Sequence, residues 1–362
     1  MLDTAPAADP AHETEAAFGH IANILEHGAI AVMLSIGHKT ALFETMATME
    51  PATSGEIAEA AGLNERYVRE WLAVMVTGRI AGYDPATRRY RLPPAFAACL
   101  TQDGAMGNMA VYAQFVGMAG AVQETVIDRF HNGEGIGYGD YPCFHSIMAE
   151  DSAQTVVAGI EDILQTLAPE LTLRLQEGAD MLDAGCGAGR AIIKLASLFP
   201  QSRFTGCDLC PDAIEMAQAE ARRQGLANIN FQVRDLAQLK DKDAFDLVTS
   251  FDAVHDTKDP EALLAAIYGA LKPRGRHLMQ DIGGSAHLEN NLNFPFAPLL
   301  YAISCVHCTP VSLGQGGEGL GTMWGWETAE RMVRNAGFET VTRTVLEHDP
   351  MNVWFVSTKQ TD

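Results

Sequence analysis

The second half of the chain alternates short apolar runs with amphipathic stretches. The runs of strand length lie at 181–183, 203–208, 229–235, 245–250 and 277–281. Between them, apolar residues recur at helical spacing, as at 190–198 and 260–272. Strands that alternate with helices are typical of a parallel sheet covered by helices on both faces. The pattern therefore predicts an α/β fold with a doubly wound, Rossmann-like sheet.

A glycine-rich turn follows the first of these predicted strands. Met181-Leu-Asp-Ala-Gly-Cys-Gly-Ala-Gly-Arg190 places Gly185, Gly187 and Gly189 at alternate positions. In a strand–turn–helix unit, backbone without side chains can approach a nucleotide-like ligand closely. The glycine pattern alone is not specific, because phosphate-binding and dinucleotide-binding loops use similar spacings.

Two aspartates at later strand ends make the prediction more specific. Asp208 closes the second apolar run and Asp235 closes the third. A carboxylate at the first position can accept hydrogen bonds from both hydroxyls of a ribose. An acid at the second position can accept one from an adenine amino group. Each aspartate alone has a simpler interpretation as a cap at the end of a strand.

This series resembles the class I methyltransferases that use S-adenosylmethionine (SAM), over roughly residues 160–362. The resemblance implies a seven-stranded sheet with a reversed final strand pair at 339–346 and 352–358. It also implies SAM as the cofactor. The implied cofactor-binding residues are Asp183, Gly185, Cys186, Gly187, Gly189, Asp208, Leu209, Asp235, Leu236 and Phe251.

The main alternative for this loop is an NAD(P) dehydrogenase. The glycines are spaced x-G-x-G-x-G rather than G-x-G-x-x-G. Asp183, two residues before the first glycine, would repel a pyrophosphate but attract the amino group of SAM. These features favour SAM.

The first half has the pattern of a winged helix. Predicted helices at 55–61 and 65–76 are followed by a two-stranded ribbon at 80–83 and 89–92. Residues 50–91 carry six acids and six bases, whereas a helix that reads a DNA groove normally has a basic surplus. In many small-molecule methyltransferases such a module serves dimerisation and covers the active site, which is the favoured interpretation. DNA binding remains the alternative.

Taken whole, the chain resembles a bacterial group of winged-helix-containing SAM methyltransferases typified by a mycobacterial protein. The matching stretches include Asn64-Glu-Arg-Tyr-Val-Arg-Glu-Trp71, Phe251-Asp-Ala-Val-His-Asp256 and Ser304-x-x-His-Cys308. The expected organisation is a disordered tail (1–17), a winged-helix and dimerisation domain (18–100), a helical linker and active-site cap (101–165) and a SAM-binding domain (166–362).

Composition limits the partners. The chain of 362 residues has 46 acids against 25 bases, a net charge of −21. This balance opposes sequence-independent binding to nucleic acid. The start of the chain lacks the basic and apolar segments of a signal peptide, so we expect a cytoplasmic protein without membrane contact, and a homodimer.

Candidate catalytic residues follow strand ends or lie in insertions. His255 comes five residues after the fourth strand, with Asp256 placed to orient it, and Asp281 ends the fifth strand. His307 lies in the insertion 291–308, and His145 in the aromatic stretch 137–145. An imidazole suits proton transfer near neutral pH because its ordinary pKa is about 6.5. Each of these groups has a structural alternative, such as a histidine bonded to backbone.

Two segments can be interpreted either as a mobile lid over the active site or as a plain structural connection. One is 137–145, and the other is the glycine-rich stretch 314–321. The pairs Cys207/Cys210 and Cys305/Cys308 have the spacing of zinc ligands but lie about a hundred residues apart. Buried thiols are the favoured interpretation, and no metal is expected.

The sequence therefore predicts a SAM-dependent methyltransferase for a small molecule, acting at a hydroxyl oxygen or at a thiol or sulfide sulfur. Two alternatives remain: a SAM-responsive DNA-binding regulator and a catalytically silent SAM-binding scaffold.

Overall fold

A computed structural model describes residues 10–360. The chain divides into two compact units, Met1–Gly117 and Met118–Asp362. The division falls inside the segment 101–165 that was expected to be a linker and cap. Residues 10–17 of the expected disordered tail belong to a helix that begins at Pro10, so that part of the expectation is wrong. Residues 1–9 of the tail lie outside the described residues.

The first unit is helical apart from a small β-ribbon. Its elements are α1 (Pro10–Lys39), α2 (Leu42–Ala47), α3 (Ser54–Ala61), α4 (Glu65–Thr77), β1 (Gly82–Asp84), β2 (Arg89–Arg91) and α5 (Pro94–Leu100). Thr53 and Glu56 form a reciprocal capping box at the start of α3, and Asn64 caps α4. Phe43, Leu72 and Met75 are fully buried in the core of this unit. These elements confirm the predicted winged helix.

Helices precede the sheet in the second unit. They are α6 (Ala110–Asn132), which crosses the division between the units, then α7 (Phe144–Ser152), α8 (Ile160–Leu167) and α9 (Pro169–Glu177). The sheet and its helices follow as β3 (Asp180–Ala184), α10 (Arg190–Leu198), β4 (Arg203–Asp208), α11 (Pro211–Arg223), β5 (Ile229–Val233), β6 (Phe245–Phe251), α12 (Pro260–Ala270), β7 (Leu271–Ile282), α13 (Ala297–Ile303), α14 (Thr309–Gly314), α15 (Trp326–Asn335), β8 (Thr340–Leu346) and β9 (Asp349–Thr358).

The sheet has seven strands in the order β5-β4-β3-β6-β7-β9-β8. The neighbouring pairs from β5 to β7 are parallel, whereas β9 is antiparallel to both β7 and β8. This topology confirms the predicted doubly wound sheet. The reversed element is β9 alone rather than the final pair.

Apolar side chains pack on both faces of the sheet. One core contains Ile192, Phe204 and Trp354, and the other contains Val248, Leu264 and Phe355. Because both faces are covered, ligands can approach only at the strand ends. In open parallel sheets, ligands bind beyond the carboxyl ends of the strands, where neighbouring loops diverge.

Within residues 10–360, two helical segments have the length and hydropathy of a membrane span: Ala11–Lys39 and Ala297–Gly314. Core helices of soluble proteins and segments near an N-terminus have the same properties, so this is weak evidence. The expected cytoplasmic location stays a prediction.

Candidate active site

A cavity of about 440 Å³ opens at the carboxyl ends of β3, β4, β5 and β6. Nine of the ten expected cofactor-binding residues line it: Asp183, Gly185, Cys186, Gly187, Asp208, Leu209, Asp235, Leu236 and Phe251. The exception is Gly189. The segments 183–189, 208–210 and 235–237 are together called the cradle.

The glycines of the cradle have different physical roles. Gly187 has a φ of +50°, and a Cβ added there would meet no atom within 4 Å. Gly189 has a φ of +72°, and a Cβ there would lie 2.8 Å from Phe231 Cε1 and 2.9 Å from Ala217 Cβ. Gly187 thus leaves open space beside a ligand, whereas Gly189 allows α10 to pack closely against β5 and α11.

Asp208 ties the glycine turn to the end of β4. One carboxylate oxygen accepts a hydrogen bond from the backbone N–H of Gly187 at 2.8 Å. The other accepts one from the N–H of Cys210, also at 2.8 Å. Each oxygen keeps a lone pair for another donor, because a carboxylate has about four acceptor sites. The half-buried side chain can therefore hold the turn and also bind vicinal hydroxyls.

Asp235 is an exposed cap at the third strand end. Its carboxylate accepts hydrogen bonds from the N–H of Ala237 at 3.0 Å and from Gln238 Nε2 at 2.8 Å. These contacts fix the turn that presents Leu236 to the cavity. The structural and ligand-binding interpretations of Asp235 are thus compatible.

Asp183 is the most deeply buried acid of the cradle. Its carboxylate is 2 % exposed and accepts a hydrogen bond from Thr249 Oγ1 at 2.7 Å. Burial raises the pKa of Asp183 to about 7. The hydrogen bond from Thr249 lowers this pKa, and the charge of Asp208 raises it further. A cationic group in the cavity would favour the ionised form.

Sequence reasoning missed several charged residues of the cavity wall, among them Arg190, Arg234, Asp252 and Lys258. Asp252 directly follows β6 and has a left-handed backbone, with a φ of +47°. Its buried Oδ1 has no hydrogen-bond partner among residues 10–360. Burial and the nearby charge of Asp281 raise the pKa of Asp252 well above 3.8. The available signal was its position as the first residue after a strand, a common position for ligand-binding groups in this fold.

Aromatic residues form the wall of the cavity opposite the cradle. Tyr138, Phe144 and His145 line the cavity. The Phe144 ring stacks on His307 with centroids 3.9 Å apart, and Tyr141 Oη donates to the carbonyl of Val306 at 2.8 Å. The segment 137–145 is therefore both a wall of the cavity and a packed connection.

Three of the four expected catalytic residues lie behind the cavity wall rather than on it. His255, Asp281 and His307 are buried and do not line the cavity, whereas His145 does. Asp256, expected to orient His255, is itself a lining residue. His255, Asp256, Asp281, His307 and Cys308 are called the buried cluster.

His255 is held between two carboxylates. Its Nδ1 lies 2.8 Å from Asp281 Oδ1, and its Nε2 lies 3.2 Å from Asp256 Oδ1. Trp324 Nε1 also donates to Asp281 Oδ1, at 3.0 Å. Burial opposes the imidazolium, but Asp281 and Asp256 outweigh it and hold the pKa of His255 well above 6.5. His255 is therefore an ion-pair partner rather than a ready base.

His307 has the opposite electrostatics. Burial lowers its pKa to about 4, although the charge of Asp256 acts in the other direction. Its Nε2 has no hydrogen-bond partner in the described part of the chain. His307 is therefore neutral at pH 7.

The stretch 314–321 was the second candidate lid. Gln315 lines the cavity and its Nε2 donates to the carbonyl of Asp256 at 3.0 Å. The N–H of Gly319 donates to Ser312 Oγ at 3.2 Å. The first contact attaches the stretch to the loop after β6, and the second attaches it to α14.

Comparison with known proteins identifies both parts of the chain. Residues 175–337 match the family described as a methyltransferase domain, and residues 28–102 match the Rv2258c-like winged HTH domain. An arsenite methyltransferase from Aquipseudomonas alcaligenes is 28 % identical over 205 residues, which are 51 % of this chain and 54 % of that protein. The chain thus spans about half the length of the curated relatives it matches.

Solved structures share the fold over almost the full length. A candidate O-methyltransferase from Nostoc punctiforme has a TM-score of 0.69 at 19 % identity, covering 95 % of this chain and 98 % of that one. Human N-acetylserotonin methyltransferase, solved in complex with SAM, has a TM-score of 0.64 at 15 % identity, covering 99 % of this chain and 100 % of that one.

The chain therefore contains a methyltransferase domain at residues 175–337, preceded by an Rv2258c-like winged HTH domain at residues 28–102. This finding confirms the expected fold and, at the level of the family, the expected cofactor.

Proposed function

We propose that this protein transfers a methyl group from SAM to a small-molecule acceptor, at a hydroxyl oxygen or a thiol sulfur. The observation that carries the proposal is the cradle. A glycine turn, a carboxylate with free acceptor capacity at Asp208 and a buried acid at Asp183 meet at one cavity. The names of the relatives support methyl transfer.

The residues present fit SAM by their chemistry. Asp208 suits the ribose hydroxyls, and the open space at Gly187 admits the nucleoside against the backbone. Asp183, and the buried unpartnered Oδ1 of Asp252, suit the positive charges of the methionine amino group and of the sulfonium. When bound, SAM supplies a methyl group already activated for displacement by a nucleophile.

The remaining task of the protein is to align the acceptor and exclude water. Tyr138 and Phe144 provide an apolar wall for this purpose. Burial, followed by the charges of Asp256 and Asp208, raises the pKa of Tyr138 well above 10, so its phenol remains a hydrogen-bond donor. Among the expected catalytic residues, His145 lines the cavity. We assign it the role of the base that removes the proton from the acceptor. His255 and Asp281 are assigned to positioning.

The test is a transfer assay with SAM labelled in its methyl group, against pools of thiols, phenols and amines. We expect label to move into the thiol or phenol pool, and His145→Gln to lower kcat more than it lowers SAM affinity. Thermal stabilisation by S-adenosylhomocysteine is the control for cofactor binding. Thermal stabilisation by NAD(P) but not by S-adenosylhomocysteine would contradict the proposal. Stabilisation by neither compound would contradict it as well.

We infer that α1 binds a second copy of the chain. Phe18, Ile21 and Leu25 lie at helical spacing on α1 and are 77 %, 55 % and 70 % exposed. The net charge of −21 disfavours an anionic membrane as the partner of this face. Light scattering on Phe18→Glu/Leu25→Glu, with the exposed polar Asn23→Glu as control, is expected to show a monomer only for the first variant.

The DNA-binding alternative predicts specific duplex binding by the winged helix. The balanced charge of residues 50–91 argues against it, and a mobility-shift assay with genomic fragments at physiological salt tests it. The silent-scaffold alternative predicts SAM binding without transfer to any pool.

A further inference from the structure

We propose that the buried cluster binds a zinc ion through His255, Asp256 and Cys308. The potential ligand atoms of these three buried residues all lie within 4.8 Å of one another. Imidazole nitrogen, carboxylate oxygen and thiolate sulfur are the ligand types that Zn²⁺ uses in proteins. Bonds of about 2.0–2.3 Å place tetrahedral ligands roughly 3–4 Å apart, so binding would draw the three side chains slightly together.

An unpartnered buried atom points to a missing ligand. Asp256 is 6 % exposed, and its Oδ1 has no hydrogen-bond partner among the residues that the structure describes. His255 Nε2 lies 3.2 Å away, but the contact lacks hydrogen-bond geometry. A buried carboxylate oxygen without a hydrogen-bond donor is costly, and a cation bound to it would offset that cost.

The groups around the three residues are those expected of a second coordination shell. Asp281 Oδ1 lies 2.8 Å from His255 Nδ1, so Nε2 is the ring nitrogen that is available to a metal ion. Metal-binding histidines are typically oriented by a carboxylate in this way. Thr322 Oγ1 donates to Cys308 Sγ at 2.8 Å and thereby orients the sulfur.

The backbone at Cys308 is also unusual. Ser304–Cys308 is a π-helical turn between α13 and α14, and such turns occur frequently at functional sites. Cys308 is buried, whereas Cys305 of the same turn is exposed. The site thus uses one cysteine of the second C-x-x-C pair together with residues that follow β6, rather than the two pairs.

Three protein ligands leave one position of a tetrahedral zinc ion open, as in catalytic sites. Because Asp256 also lines the cavity, the ion would adjoin the space in which the acceptor lies. Zinc lowers the pKa of a bound hydroxyl or thiol. This consequence rests on the proposed function, whereas the binding of zinc itself does not.

The test is to add one equivalent of ZnCl₂ to the full chain, remove unbound metal by gel filtration and measure the zinc content by mass spectrometry. We expect about one zinc per chain for the native protein and for Cys305→Ser, and loss of stoichiometric zinc for Cys308→Ser. Equal zinc content in the two serine variants, or no stoichiometric zinc in the native protein, would overturn the proposal.

Cobalt substitution provides a second readout that needs no activity. Co²⁺ added to the native protein is expected to give a thiolate-to-metal charge-transfer band that Cys305→Ser keeps. If Cys308→Ser does not fold, Thr322→Val keeps every ligand, and is expected to bind Co²⁺ about 10–100-fold more weakly because its hydroxyl no longer supports the sulfur. Unchanged affinity in this variant together with no thiolate band in the native protein would refute the site. SAM is absent from both measurements, so failure of the proposed function would leave their outcome unaffected.

Discussion

The cradle and the buried cluster stand at the same edge of one sheet, but they satisfy their polar groups differently. In the cradle, Asp208 and Asp235 accept hydrogen bonds from backbone N–H groups, some only two residues away. In the buried cluster, His255 and Asp281 depend on side chains from β7, from the loop after β6 and from the residues before α15. The cradle is thus largely local in sequence, whereas the cluster exists only in the folded chain.

This difference predicts where substitutions act. A change at a cradle residue that lines the cavity should alter ligand affinity more than it alters the stability of the fold. A change in the buried cluster should alter stability first, because it leaves a buried charge or donor unpaired.

The largest effect is expected from Asp281→Ala. It removes the acceptor for both His255 Nδ1 and Trp324 Nε1 at a fully buried position, and we expect a loss of about 3–5 kcal/mol in the free energy of unfolding. Chemical denaturation of the metal-free protein measures it. The control is Asp259→Ala, which removes an exposed helix cap and should cost about 1 kcal/mol. Similar losses in the two variants would show that the cluster is not a special source of stability.

The same ion pair gives a pH dependence. Since the folded pKa of His255 is raised, its contribution to stability is fully present below the ordinary value of 6.5 and is lost as the pH rises through the raised value. The stability difference between the native protein and Asp281→Ala should therefore narrow at alkaline pH.

The next largest effect is expected on cofactor affinity. Asp208→Ala should weaken binding of S-adenosylhomocysteine about 10–100-fold, or about 1.4–2.8 kcal/mol, the contribution of one hydrogen bond to a charged group. Titration calorimetry measures the change. Asp212→Ala, an exposed acid in the first turn of α11, removes the same charge nearby and should have little effect. Equal losses would indicate a general electrostatic effect rather than a direct contact.

Two glycines two residues apart sharpen the comparison within the cradle. Gly189→Ala should destabilise the fold by about 1–3 kcal/mol, because its Cβ would overlap Phe231 and Ala217. Gly187→Ala has open space around its Cβ, so it should cost less stability and should instead weaken nucleoside binding. Thermal unfolding and calorimetry on both variants measure the two effects. The reverse assignment would contradict the roles given to the two residues.

The smallest expected effect is the release of a fraction of a proton from Asp183 when SAM binds. The folded pKa of Asp183 is about 7, above its ordinary 3.8, so the neutral form is buried without an ionisation cost below pH 3.8 and the stability of the fold falls as the pH rises from there through 7. If Asp183 binds the amino group of SAM as a carboxylate, binding at pH 7 should release about half a proton. Calorimetry in buffers of different ionisation enthalpy detects the release. Asp183→Asn should abolish it, and an unchanged release would remove Asp183 from the contact.

Several features were predictable from the sequence because the signals are local. The glycine turn, the aspartates at the ends of strands and the apolar runs of β3 to β6 follow from spacing along the chain, and they fixed the doubly wound sheet and most of the cradle. The winged helix was predictable for the same reason, since its caps and ribbon turn lie within about forty residues. The helical start at Pro10 was missed because its residues, rich in alanine and acids, resemble those of a disordered segment.

Tertiary structure alone decided the environments of the histidines. His255 and His307 differ little in sequence context, yet two carboxylates raise the pKa of one while burial lowers that of the other. The role of Gly189 in packing, the approach of Cys308 to His255 and the place of His145 on the cavity wall likewise depend on residues far apart in the chain. The spacing of residues along the chain can specify where the backbone turns and which strands end in an acid. The burial of a side chain and the charges around it depend instead on all the segments that pack against it.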